Sequence, residues 1–557
     1  MWSMTPTFAG LASIALVPVL LVAGCTAADP GAVPPNGSGS RAGSPSGSAS
    51  GPSAGDQTSS PTSVRTPAMV VQDGYQRLNL LPDAVAAQVV TDNNDTEATS
   101  ARAEVVRADR VGAALRVVVA WDRPAGDAAA TPFERLRSLR KGATPFEIGL
   151  RLYDPAAGTV AEPLRSATGA CLCSNNTGRY FDSDKQALFW ADFPAPDGDR
   201  VDLLLGEQVA ALQDVPVSTG APALDLAAAG ELADWVSNAP SETVGEGAAA
   251  PVVHDVRRST QTFGGAEDAQ VGRNADVSLP ADVLFAVNSS SLGAPARQVL
   301  ADAAPKLAAA AKGKRVQVVG HTDDQGTPAY NDDLSLRRAR AVAAELGPRL
   351  RAAGISLVAV GKGESEHVAP NAEPDGTPIE ANRQRNRRVS FVFPRARGAA
   401  TTAIQVTTAL PAMPVARVAS PSPEVSGSLA TVLSQDGTVR VHVTRAQRVG
   451  ADLWLGFAFT SVGQRADWGS NPPLLGPNPY AANDTLANVR VVDPARKTIA
   501  PPLSFSQGAC LCSENQGSGQ LFPRPMPMWA VFPAPPAGTA KVVLRIPGAG
   551  QVGVSVS

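Results

Sequence analysis

The chain predicts a multidomain protein: a mixed α/β domain, with helices on one side of its sheet, set between two homologous mainly-β modules. Three observations carry this expectation. A block of residues recurs, because Gly169–Ser174 (GACLCS) returns 339 positions later as Gly508–Ser513. The same offset relates Asp154-Pro155 to Asp493-Pro494, Trp190 to Trp529 and the FPAP run at Phe193 to that at Phe532. Both copies read as short β-branched and aromatic runs punctuated by Gly, Pro and Asp. Between them, residues 276–395 alternate strand-like and helix-like periodicities instead.

With 557 residues the chain exceeds what one core supports. Charged residues make up 18 % and the formal net charge is −3, so no basic field points to nucleic acid. Aromatic residues are only 5 %, a composition of modest domains joined by polar linkers. Phe8 to Gly24 is apolar and ends in Val22-Ala23-Gly24-Cys25. That pattern resembles the lipobox of bacterial lipoproteins, which implies that residues 1–25 are a lipoprotein signal ending at Cys25, cleaved before this cysteine, and that Cys25 is lipidated, palmitate included, as the new amino terminus. The first seven residues carry no Lys or Arg, a departure from ordinary export signals, and an uncleaved membrane anchor is the alternative. Either way the remainder belongs in the cell envelope, on the outer face of the cytoplasmic membrane or in a periplasm-like space. Residues 26–67 are Ser, Gly, Pro and Ala without an aromatic side chain, so they are expected to be a disordered tether. About forty such residues reach roughly 35 Å as a flexible coil.

The first β-module is expected over 84–210 and the second over 420–557. LRVVVAW (Leu115 to Trp121) corresponds to LWLGFAF (Leu453 to Phe459), and EIGLRLY (Glu147 to Tyr153) to LANVRVV (Leu486 to Val492). Several short strands in about 125 residues suggest an immunoglobulin-like β-sandwich. Residues 124–145 of the first copy contain FERLRSLRK, expected as one short helix. Residues 211–275 and 396–419 read as irregular connectors. Apart from Cys25, all cysteines fall in the two CLC repeats. Exported chains meet oxidising surroundings, so local Cys171–Cys173 and Cys510–Cys512 bonds are the simplest of the three possible pairings.

In the middle domain VLFAV (Val283 to Val287) reads as a strand, and Ala296 to Ala311 as a helix that Pro305 should kink or break. RVQVVG (Arg315 to Gly320) reads as a buried strand, followed by a helix starting near Asn331. LVAV (Leu357 to Val360) and RRVSFVF (Arg387 to Phe393) complete the sheet. The stretch His321 to Val342 reads HTDDQGTPAYNDDLSLRRARAV, with Asp323 fifteen positions before Arg338. A carboxylate and a guanidinium held apart on a frame suit a ligand bearing both an ammonium and a carboxylate. The string TD-x2-G-x3-YN-x2-LS-x2-RA-x2-V resembles the peptidoglycan-binding signature of the OmpA-like domain family. VLFAVNSSSL and NRRVSF resemble that family's opening and closing segments, so the likeness covers about 120 residues, 276–395.

The resemblance implies an α/β sandwich with a βαβαβ-type mixed sheet. It also implies binding of peptidoglycan through the diaminopimelate of its stem peptides, Asp323 taking the ammonium and Arg338 the carboxylate. Asn331 and Arg387 are further candidates for the pocket. Where the family has Asp after the opening Phe, this chain has Ala286. Leu334 and Tyr330 are expected in the core, and His321 as a packed residue.

No nucleophile elbow, metalloprotease helix or phosphate loop is legible, so neither an enzyme nor a cofactor is expected. The four histidines are scattered, which speaks against a metal site. Two other functions stand beside the wall-binding one. In the first, the CxC pairs serve an envelope thiol–disulfide protein. In the second, the chain is an adhesin or assembly factor whose β-modules bind a protein partner.

Overall fold

The computed structural model describes residues 66–93, 98–125, 149–174, 185–206, 210–219, 227–235, 239–241, 243–263, 265–369, 371–372, 376–395, 414–422, 425–463, 466–467, 486–505, 509–513, 520–521 and 525–557. The signal with Cys25, nearly all of the tether, the FERLRSLRK segment and most of 396–419 lie outside the described residues.

Repetition of sequence becomes repetition of topology. In the first copy Ala86–Asn93, Ala98–Val111, Ala114–Pro124 and Gln186–Pro194 pair antiparallel in that order. A second sheet runs Ala210–Pro216, Arg200–Leu205, Arg151–Asp154, Thr159–Ala161. The second copy repeats this with Ala430–Leu433, Val439–Val449, Asp452–Ser461 and Met526–Pro533, and with Gly550–Ser555, Lys541–Ile546, Arg490–Asp493 and Thr498–Ala500. Alternation along each strand sends every second side chain inward. Val117, Phe189, Leu152 and Leu203 thus share one core in the first copy, and Val441, Phe457, Val491 and Leu544 another in the second. The first module exceeds its expected limits, because a hairpin of Met69–Gln72 and Tyr75–Leu78 joins its first sheet.

Six strands and four helices build the central domain: β1 (Arg257–Thr262), β2 (Glu267–Val271), β3 (Asn274–Pro280), α1 (Ala281–Leu284), α2 (Ala294–Ala310), β4 (Arg315–Gly320), α3 (Pro328–Leu350), β5 (Ser356–Gly361), α4 (Glu380–Asn386) and β6 (Arg388–Pro394). The sheet order is β5-β4-β6-β3-β2-β1, with only β5 and β4 parallel. One face carries Val277, Leu279, Val316, Val318, Val389 and Phe391 beneath Leu300, Leu307, Val342 and Leu346 of α2 and α3. Each such fully buried side chain stabilises the domain by about 1.5–3 kcal/mol.

Three expectations are corrected. Val283–Val287 is no strand: after Pro280 the chain turns into α1, with Leu284 buried, and Phe285 leaves it extended. The strand that precedes the helices in the expected 276–395 range is β3 instead. Helix α2 runs through Pro305 without ending there; its buried stripe of Ala296, Leu300, Ala303 and Leu307 holds the turn that the missing N–H weakens. Residues 211–275 are not an irregular connector. Val253–Asp255 extends the second sheet of copy 1 by pairing with Thr159–Ala161. Immediately afterwards β1 pairs with Thr498–Ala500, the equivalent strand of copy 2. The central sheet thereby continues into the second module as one sheet of twelve strands.

Candidate functional site

The motif lies where β4 runs out over the start of α3. Gly320 closes β4, and a Cβ there would sit 2.1 Å from the carbonyl oxygen of Ser335, so only glycine lets the helix lie on the strand end. Gly326, at φ +108°, turns the chain back, and Thr327 caps α3 by accepting from the Tyr330 backbone N–H at 3.3 Å. Asp323 and Arg338 are thus fixed on neighbouring elements, a loop and the helix packed beside it.

Asp323 is 6 % exposed. Its Oδ2 accepts from Arg387 Nη1 at 2.7 Å and its Oδ1 from the Gln325 backbone N–H at 3.2 Å. Arg387 also donates to Asp282 at 2.9 Å and Glu380 at 3.1 Å. These bonds, that to Asp282 foremost, raise the arginine's pKa above its ordinary value. Asn331, 1 % exposed, donates to the Asp323 carbonyl at 3.3 Å and to Glu364 at 2.6 Å. It fixes the loop of Asp323 to the loop after β5. Arg383 pairs with Asp324 at 2.8 Å on the outer side of the same turn.

Arg338 stands apart from this network. It is 5 % exposed, its Nε donates to the Ser289 carbonyl at 2.9 Å, and its guanidinium lies over the Phe285 ring at 5.3 Å. Among the described residues no carboxylate comes within ion-pair distance of it. Burial lowers its pKa and Arg387 adds to that, whereas Asp282 and Asp323 oppose it. The structure therefore brings all four predicted residues into one site, with Asp323 paired to Arg387 and not to Arg338. His321 is buried, and burial, then Arg388 and Arg257, hold its pKa well below the usual range. Leu334 is core, but Tyr330 is 40 % exposed and belongs to the rim, contrary to expectation.

Sequence reasoning missed Asp282, Phe285 as a ring beneath Arg338, the Ser289 carbonyl and Glu364. Asp282, one helical turn before Phe285, brings a carboxylate to the site through Arg387, while position 286 is Ala. A signal for it existed, since Asp282 follows Pro280 in a one-turn helix start. Nothing in the sequence marks a backbone carbonyl as a guanidinium partner.

A sheet under two helices, with this loop–helix pair at its edge, defines the class. Residues 284–382 match the OmpA family model, and the chain contains an OmpA family domain there. The outer-membrane lipoprotein YfiB of Pseudomonas aeruginosa is 36 % identical over 119 residues, which is 21 % of this chain and 64 % of that protein. The peptidoglycan-binding protein ArfA of Mycobacterium tuberculosis is 35 % identical over 125 residues, 22 % of this chain and 35 % of its own. The peptidoglycan-associated lipoprotein from Burkholderia pseudomallei, a solved structure, is 28 % identical, with a TM-score of 0.16, over 20 % of this chain and 87 % of its own. The chain thus spans less than two thirds of either curated relative, and the matches fall on about a fifth of it.

Both CLC repeats form the local bond: Cα atoms are 5.2 Å apart in Cys171–Cys173 and 5.3 Å in Cys510–Cys512. Among the described residues no helix is long and apolar enough to cross a membrane.

Proposed function

We propose that the central domain binds peptidoglycan non-covalently, and that Asp323 and Arg338 hold the ammonium and carboxylate of diaminopimelate. The observation that carries this reading is a buried guanidinium beside a buried carboxylate, each held by other groups and neither neutralised by the other. Among the described residues Arg338 spends only Nε on the protein, so both Nη groups are left to fork onto a carboxylate. Asp323 uses one lone pair on each oxygen, so both retain acceptor capacity for an ammonium. In this reading Arg387 orients Asp323, and Asn331 holds the loop. The name borne by ArfA supports the same ligand class.

The wider reading follows from it. The protein sits in the cell envelope, tied to the membrane by a lipid on Cys25, with 26–67 as tether and the wall contact made by residues 276–395. Each flanking copy, two sheets over one core, is read as an immunoglobulin-like sandwich and a surface for a protein partner.

The test is co-sedimentation with purified sacculi. Asp323→Ala and Arg338→Ala should each abolish it while the melting transition survives. Truncating one partner of a buried charged contact costs about 2–5 kcal/mol of binding. Retention of both variants at the wild-type level rejects the assignment.

A further inference from the structure

The two copies bury the same sheet face in different ways, and the difference leaves a cavity. In copy 1, Val106, Val118, Leu188 and Trp190 point outward from the first sheet, and the chain covers them itself with Leu78, Leu81 and Ala229. In copy 2 the equivalent positions are Thr444, Gly456, Pro527 and Trp529. No counterpart of the Leu78–Leu81 hairpin covers them among the described residues. Part of that face packs on copy 1, where Trp454, Trp529 and Val531 meet Tyr153, Leu204 and Ala211. The rest lines a cavity of about 630 Å³, walled on its far side by Val85, Val89, Ala211 and Gln213 of copy 1. Val85 and Val89 are 42 % and 47 % exposed and give that wall an apolar patch.

A charge has also lost its partner between the copies. Both contain the same irregularity of register, at Val105/Arg107 and at Val443/Arg445. In copy 1 Arg107 forms an ion pair with Asp109. In copy 2 the residue equivalent to that aspartate is Gln447. Arg445 donates to its amide oxygen at 2.8 Å and has no carboxylate within ion-pair distance among the described residues. The other arginine at the mouth, Arg200, is paired with Asp214. Among the described residues Arg445 is the cavity's arginine without an ion pair, the Asp202 carboxyl acting on it only at longer range.

We propose that this cavity binds a small amphipathic anion: an unbranched apolar body carrying one carboxylate or phosphate. The body takes the place that Leu78 and Leu81 fill in copy 1, between Val85/Val89 and Trp529. The anionic group takes the place of the missing aspartate, on Arg445. The volume lies in the range of small-molecule sites, which favour boundaries between domains. An exposed guanidinium without an ion pair, beside the apolar side chains of Val85, Val89 and Trp529, favours an anionic amphiphile over its neutral analogue, because only the anion meets the charge. The inference is independent of the central domain.

The experiment is isothermal titration of the full chain with decanoate and decyl phosphate, each below its critical micelle concentration, and with decanol below its solubility limit. Decanoate and decyl phosphate, or one of them, should bind saturably at one site, and decanol at least tenfold more weakly. Arg445→Gln should weaken the anion at least tenfold. Val89→Trp, which fills the void from an exposed position, should remove binding. Both variants should keep the wild-type melting temperature and sacculus co-sedimentation. Absence of saturable binding by either anion, equal affinity for decanol, or wild-type affinity in either variant overturns the proposal.

Discussion

Arg387 makes no contact with the ligand in the proposed site, yet its removal should disable it. Its guanidinium engages Asp323 at 2.7 Å, Asp282 at 2.9 Å and Glu380 at 3.1 Å. In Arg387→Ala both Asp323 and Asp282 lose their partner, and Arg338, whose charge both already favour, becomes a competing one. Two unit charges about 4 Å apart near a protein surface attract by roughly 4 kcal/mol. Asp282 is 41 % exposed and so contributes less. A ligand would then have to break this new pairing, so affinity for soluble muropeptide should fall by about 1–3 kcal/mol, or roughly 5- to 150-fold. Arg387→Lys keeps the charge but not the fork, and an intermediate loss is expected. The diagnostic variant is Arg387→Ala/Asp282→Asn: removing one competing carboxylate should recover part of the affinity, a non-additive result. Titration calorimetry with purified muropeptide measures all three. Wild-type affinity in Arg387→Ala, or a double variant weaker than the single one, refutes the reasoning.

Three further outcomes are expected. Gly320→Ala should separate β4 from α3, because its Cβ would meet the Ser335 carbonyl oxygen at 2.1 Å; overpacking costs about 1–3 kcal/mol by denaturant melt, and sacculus binding should fall with it, since the same contact spaces Asp323 from Arg338. Arg257→Ala should destabilise by about 3–5 kcal/mol, because Glu267 at 2.9 Å and Asp276 at 2.8 Å would be left buried without their cation; a chemical melt within 1 kcal/mol of wild type contradicts this. Asp202 supplies a pH effect, for burial pushes its carboxyl up to about 7, assisted by Asp452 and Asp214 and opposed by the Asp214 backbone N–H and Arg445. A carboxyl with a raised folded-state pKa binds more protons folded than unfolded between about pH 4 and 7, so its contribution to stability declines as pH rises through that window. Asp202→Asn should flatten the pH dependence there and stabilise the protein at pH 8 by at most roughly 4 kcal/mol; an unchanged melting curve from pH 4 to 8 would remove the basis.

Much of this was legible in the sequence, for reasons that differ by element. The repeat was legible because 339 residues separate identical strings and each string keeps its place in a sheet. The motif was legible because its spacing is set by hard contacts: Gly326 must turn, Thr327 must cap, and Ala339, Val342 and Leu346 must face the sheet. The meander of β1 to β3 was not, and the physical cause is its second face. Arg257, Glu267, Asp276 and Arg388 point away from the helices and are nonetheless buried or nearly so. Charged residues at alternate positions look like a solvated loop until the partners that neutralise them are known. Val283–Val287 failed for the opposite reason. Its apolar run suits a strand, but the chain spends Leu284 on the core and Phe285 beneath Arg338.

The same polar meander explains why the two β-modules and the central domain belong together. Val253–Asp255 closes the edge strand of one copy and β1 closes the equivalent edge of the other, so ten consecutive residues cap two sheets that would otherwise end in unpaired N–H and C=O groups. Val256, between them, is 1 % exposed within a cluster drawn from both copies. Beside it Asp452 of copy 2 accepts from Tyr153 of copy 1 at 2.6 Å and from Arg258 of β1 at 2.6 Å. Burial raises the Asp452 carboxyl, while Arg258, then Tyr153, favour its charge, so each element stabilises the junction only if the other two are present. An edge of this kind does not suit a flexible linker. It suits a protein in which the position of the Asp323 loop is carried through continuous sheet to the second module, and through a buried three-part contact to the first.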